Sequence, residues 1–178
     1  MKRNAAITSL VLAIGIGLGM IVSQLFNAST ANTAAPAAEA NKALARSYIE
    51  QAMNGRRLAM IDAIVTPNFK HYVSPIAAPL NLEAHKKRLA GFFAAFPDLR
   101  FEISELVAEG DRVAWRLTSR GTHQGPLPGI PPTGKQFVGL AYAFIRIEDG
   151  KILEYWGGPD TWITLQQLGV TLSAPKSP

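Results

Sequence analysis

Hydrophobic positions in this chain change period near its middle. From Glu39 to Asn54 the apolar residues Leu44, Tyr48, Ile49, Ala52 and Met53 recur at steps of three and four. Lys42, Arg46, Glu50 and Gln51 fall between them, which predicts an amphipathic helix. Asn54-Gly55 ends it, glycine tolerating a left-handed cap. A second short helix is predicted over Leu58 to Val65, stopped at Thr66-Pro67, because the residue before a proline is pushed out of helical geometry. Asn68 to Val73 reads as a short strand. Asn81 is placed to cap a third helix over Leu82 to Phe96, with Leu82, Leu89, Phe92, Phe93 and Phe96 on its apolar side and Pro97-Asp98 after it.

From Leu99 the period is two. Phe101 and Ile103 alternate with Glu102 and Ser104, and the pattern slips at Glu105-Leu106-Val107, as a bulge would make it. Val113, Trp115 and Leu117 form the next alternation. Phe137 to Glu148 has few polar residues before Arg146, which predicts cover on both faces over part of its length. Asp149-Gly150 is a hairpin signal, Ile152 to Gly157 returns as the last strand, and Thr161 to Leu168 is a short helix ended by Gly169. Helices first and antiparallel strands afterwards predict an α+β domain in which a curved antiparallel sheet wraps the N-terminal helices. Such a cone encloses a cavity suited to a small molecule.

The first 38 residues stand outside this pattern. Lys2 and Arg3 precede an uninterrupted apolar run, Leu10 to Val22, of about 13 residues, a length typical of signal-peptide cores and short of a spanning helix. Ser29-Thr30-Ala31 suits cleavage. Stretched to Ala5–Phe26, the run serves instead as an uncleaved anchor with its positive end inside. The predicted organisation is a signal or anchor over 1–31, a linker over 32–38, one domain over 39–170 and a tail over 171–178. The mature domain is therefore expected outside the cytoplasm, periplasmic or secreted, touching a membrane only through the N-terminal segment.

Composition narrows the chemistry. The chain has no Cys, so it has neither disulfides nor thiol catalysis, and its three His lack metal-ligand spacing. No metal is expected. Lys2 and Arg3 supply two of the five net positive charges, and Arg56-Arg57 and Lys86-Lys87-Arg88 are too scattered for a nucleic-acid face. The prolines of Gly121–Gly134 remove the backbone donors that a phosphate loop needs.

Asp160 is the first candidate for chemistry. At an apolar cavity its ionised form is disfavoured and it becomes a useful proton carrier; as the N-cap of the Thr161 helix it is structural. His123 enters the Gly/Pro-rich loop either as a proton shuttle or as a loop histidine bonded to backbone. His71, with Phe69 and Val73 on its face, is either a second polar group of the cavity or a satisfied core histidine. His85, beside three basic residues, reads as exposed. Tyr48, Phe92, Phe96, Trp115, Tyr142 and Trp156 are candidates for an aromatic pocket wall, some of them core instead.

Five motifs in this order, FPDL (Phe96–Leu99), GTHQG…GIPPTGK (Gly121–Lys135), RIEDGKI (Arg146–Ile152), EYWGGPD (Glu154–Asp160) and QQLG (Gln166–Gly169), resemble the SnoaL-like polyketide cyclases, of NTF2-like fold. The resemblance spans Lys42 to Gly169. It implies a conical α+β fold with a deep pocket, homodimerisation through the outer sheet face, and cofactor-independent ring closure of a small apolar or aromatic carbonyl compound. It maps a general acid/base onto Asp160 and includes His123 in its pattern. The alternatives are a ligand-binding module without chemistry, and a filled cone acting only through its dimer surface.

Overall fold

The computed structural model describes residues 35–171. The predicted signal or anchor segment, residues 32–34 of the predicted linker and most of the tail lie outside them. Helix α1 occupies residues 35–47, four residues ahead of its predicted start. It continues as a π-helical segment, Tyr48–Asn54, that buries Tyr48, Ile49, Ala52 and Met53. The left-handed residue after it is Arg56 (φ 55°) rather than Gly55. A 3₁₀ turn (Leu58–Met60) and α2 (Ile61–Ile64) follow. Strand β1 (Val65–Tyr72) starts ahead of its predicted position and includes Pro67. It is tolerated because β1 is an edge strand whose register is broken between Val65 and Lys70. Helix α3 (Leu82–Ala95) is capped as predicted, the Asn81 side chain accepting from the Ala84 N–H at 2.9 Å.

Strands β2 (Arg100–Glu109), β3 (Arg112–Thr122), β4 (Gln136–Glu148) and β5 (Lys151–Pro159) are joined antiparallel, and helix α4 (Thr161–Gln167) closes the fold. The β2–β3 register breaks between Ile103 and Glu105, where the alternation slips in the sequence. The sheet order is β1-β5-β4-β3-β2. One expectation is corrected: the sheet is mixed, because β1 runs parallel to β5, pairing His71 with Tyr155 and Tyr72 with Trp156. That pairing joins segments some eighty residues apart, and no local pattern encodes it.

Strand β4 also departs from expectation. It alternates strictly, with Phe137, Ala141, Ala143, Ile145 and Ile147 buried on one face and Val138, Tyr142 and Phe144 exposed on the other. One face of the sheet therefore packs on the helices through Tyr48, Ile49, Ile61, Trp115, Leu117 and Ile145. Burying each such side chain contributes about 1.5–3 kcal/mol. The other face carries a stacked row across three strands: Tyr72 on Trp156 at 3.7 Å between centroids, and Trp156 on Phe144 at 5.9 Å.

Candidate functional site

A cavity of about 910 Å³ lies between α3, the inner sheet face, the Pro126–Ile130 stretch and the β5–α4 corner. Its walls are mostly aliphatic and aromatic: Leu89, Phe92 and Phe96 from α3 and its end, Leu117, Phe137 and Ala141 from β3 and β4, Leu127 and Ile130 from the loop. The loop is tied down at both ends. The Gln124 and Gly125 N–H groups both donate to Ala95 O at the end of α3 (2.9 and 3.0 Å), and His123 exchanges backbone bonds with Gly134 and Lys135 (2.9 Å each). Gly125 is required there, since a Cβ would sit 2.1 Å from Ala94 O.

The polar groups gather at the end where β1 and β5 face α3. His71 Nδ1 and His85 Nδ1 are 2.8 Å apart, His85 Nε2 is 2.8 Å from the Tyr48 hydroxyl, and His71 Nε2 is 3.1 Å from Gly157 O. A carbonyl only accepts, so Nε2 of His71 carries its proton. His71 Nδ1 then accepts from His85 Nδ1–H, and His85 Nε2 accepts from Tyr48 O–H. One carbonyl fixes every tautomer in the chain. Burial disfavours the imidazolium at both rings, and the Arg88 charge adds to it; His85 is pushed down to about 3, the neighbouring His71 contributing. The Tyr48 hydroxyl is raised by burial and stays protonated.

His85, read from the sequence as exposed, is 1 % exposed and lines the cavity. Its neighbours Lys86, Lys87 and Arg88 mask its position on the stripe formed by Leu82 and Leu89, three residues before and four after it. His71 lines the cavity and is a satisfied core histidine at once. Phe92 and Phe96 line it as well. Tyr48 and Trp115 are core side chains, 6.2 Å apart between ring centroids, with Tyr48 reaching the site through His85.

Tyr142 and Trp156 do not join this wall. Tyr142 is 49 % exposed, and Trp156 lies in the stacked row on the opposite sheet face. Strand alternation is the reason: Tyr155 points inward beside His71, with ring centroids 4.4 Å apart, so Trp156 must point out. His123 is fully buried but lies outside the cavity lining. Its Nδ1 accepts from the Thr133 N–H at 3.3 Å and meets the Thr133 hydroxyl at 3.2 Å, while its Nε2 has no partner among the described residues. The side chain packs 5.2 Å from the Phe96 ring and fastens the loop.

Asp160 caps α4, its Oδ1 accepting from the Ile163 N–H at 3.2 Å, while its own N–H donates to Leu140 O at 2.8 Å. Pro159 and Thr161 on either side line the cavity; the Asp160 side chain does not. No Asp or Glu lines it among the described residues, whereas Lys87 and Arg88 stand on its α3 rim. This arrangement can hold a largely apolar molecule and present hydrogen-bonding groups at one end.

The description that matches this chain, over residues 43–168, is that of the SnoaL-like polyketide cyclases. Nogalonic acid methyl ester cyclase of Streptomyces nogalater is 32 % identical over 123 residues, which are 66 % of this chain and 90 % of that protein. Among solved structures, AclR of Streptomyces galilaeus superposes with a TM-score of 0.66 at 32 % identity, covering 76 % of this chain and 89 % of its own. A SnoaL-like polyketide cyclase of Agrobacterium tumefaciens superposes with a TM-score of 0.60 at 27 % identity, covering 71 % and 95 %.

Proposed function

The chain belongs to the SnoaL-like polyketide cyclase family, and from that premise we propose that its cavity takes up a flat, largely apolar molecule bearing a carbonyl group and promotes ring closure or a double-bond shift in it, without a cofactor. The observation that carries this reading is the cavity itself: about 910 Å³ of mostly apolar wall with polar side chains at one end. The chemistry asked of it is modest. Removing a proton next to a carbonyl needs a positioned base, worth about 10²–10⁴ in rate. Holding a flexible chain with its reacting carbons in contact supplies much of the remainder.

Asp160 is the candidate general acid/base, on the strength of the family resemblance. Its side chain caps α4 and does not line the cavity, so its use on a molecule held there requires that it turn away from the cap. The reading is tested by Asp160→Asn. Asparagine caps a helix as well as aspartate does, so the variant keeps the fold and removes the base. Turnover of an enolisable aromatic methyl ester should fall at least about a hundredfold with an unchanged melting temperature. Unchanged turnover takes Asp160 out of the mechanism.

The cap itself favours a second reading, in which the cavity binds without chemistry; any ligand then leaves unaltered and Asp160→Asn is silent. In both readings the protein acts outside the cytoplasm, on the strength of the apolar run Leu10 to Val22, and pairs with a second copy through the row of Tyr72, Trp156 and Phe144.

A further inference from the structure

The hydroxyl protons around the cavity can be accounted for one by one. Ser119 Oγ donates to Gly139 O at 3.2 Å, Thr164 Oγ1 to Asp160 O at 3.0 Å and Thr161 Oγ1 to Pro159 O at 3.4 Å. The protons of Tyr48, His85 and His71 are committed along the chain that ends on Gly157 O. One group is left over. Tyr155 is 6 % exposed and lines the cavity, and its hydroxyl has no hydrogen-bond partner among the described residues.

Its position is rigidly set. The ring is wedged edge-on against His71 and Trp115, with centroids 4.4 and 5.5 Å away, and tilted on Tyr48 and His85 at 6.0 and 5.6 Å. Burial holds its phenol well above the usual range, so it is a donor at any physiological pH, while the positive charge of Arg88 pulls the other way. Arg88 has no carboxylate partner among the described residues. Its guanidinium lies 5.1 Å over the Phe92 ring at the cavity rim. The hydroxyl is not sealed off: it opens on the cavity, where water or an entering molecule can accept its proton.

We propose that Tyr155 and Arg88 form the oxygen-binding end of the cavity: the hydroxyl donates to a carbonyl, enolate or carboxylate oxygen of the ligand, and the guanidinium offsets the negative charge that this oxygen carries. The preferred ligand is thus a flat apolar molecule with an oxygen that is, or becomes, anionic. An amine or other cation is rejected by Lys87 and Arg88, with no acid among the described residues of the lining to receive it. The assignment rests on the reading of this cavity as a ligand site.

Calorimetry with two probes separates the two ideas: 2-naphthoate and 2-methylnaphthalene, alike in the ring system and different in the carboxylate. Wild type should bind both, the naphthoate more tightly. Tyr155→Phe should weaken naphthoate about tenfold and leave methylnaphthalene within about twofold. Arg88→Gln, on the exposed side of α3, should weaken naphthoate alone, by an amount that shrinks as salt rises. It carries the test by itself if Tyr155→Phe does not fold. If both variants bind naphthoate as wild type does, the oxygen-binding assignment is overturned while the cavity remains a ligand site. If wild type binds neither probe, the assignment and the reading beneath it both fall.

Discussion

His71 and His85 face each other through their Nδ1 atoms at 2.8 Å, so one of the two rings must give its proton to the other. The Gly157 carbonyl decides which. With His71 Nε2–H spent on that carbonyl, the pair is neutral, and its order runs from Tyr48 inward to β5.

That order makes stability depend on pH. Both histidines are lowered in the fold, His85 to about 3, whereas unfolded they titrate near their ordinary value of 6.5. Below that value the unfolded chain binds protons that the folded one refuses. The stabilisation is therefore complete above about pH 6.5 and is lost as pH falls toward the folded values. His85 alone accounts for a loss on the order of 3 kcal/mol by pH 4. Thermal melts between pH 7.5 and 4 should show a steep fall, which flattens in His85→Gln.

Tyr48→Phe leaves His85 Nε2 buried without its donor. The variant should lose about 1–3 kcal/mol in urea unfolding with an unchanged slope. A loss within experimental error would mean that the Tyr48–His85 bond contributes nothing.

Gly157 is fixed by two independent demands. Its φ is +125°, and a Cβ there would stand 2.2 Å from Tyr142 O. Moving the backbone to make room displaces the carbonyl that orients His71. Gly157→Ala should cost at least about 2 kcal/mol and move the His71 and His85 imidazole resonances in NMR. Gly158→Ala, with open space at its Cβ, should do neither.

The outer sheet face bears the proposed self-association. Phe144→Arg places a charge in the row beneath Trp156, on the face away from the cavity. Sedimentation should show a dimer for wild type and a monomer for Phe144→Arg, with 2-methylnaphthalene binding unchanged. A wild type that sediments as a monomer at micromolar concentration contradicts the pairing.

Local features of this fold were readable in the sequence where the physics is local. Asn81 and Asp160 both cap helices, because a cap needs only a side chain and the next three residues. The β2 bulge is visible because the alternation slips where the register does. The parallel β1–β5 pair was hidden, since nothing near His71 names Tyr155 as its neighbour. The same gap bears on Trp156, a candidate for the pocket wall: alternation says that one of Tyr155 and Trp156 points in and the other out, and the pairing to β1 says which. His85 was legible from its spacing to Leu82 and Leu89 but was outvoted by the three basic residues after it.

The most direct test of the cavity as a ligand site is to close it. Gly91 lies in its wall on α3, and a Cβ built there meets nothing within 4 Å. Gly91→Trp should therefore fold with an unchanged or higher melting temperature while narrowing the mouth. In calorimetry, wild type should bind 2-methylnaphthalene with one site per chain, and Gly91→Trp should bind it at least about tenfold more weakly. Equal binding by the two proteins would place the ligand elsewhere and contradict the assignment of this cavity.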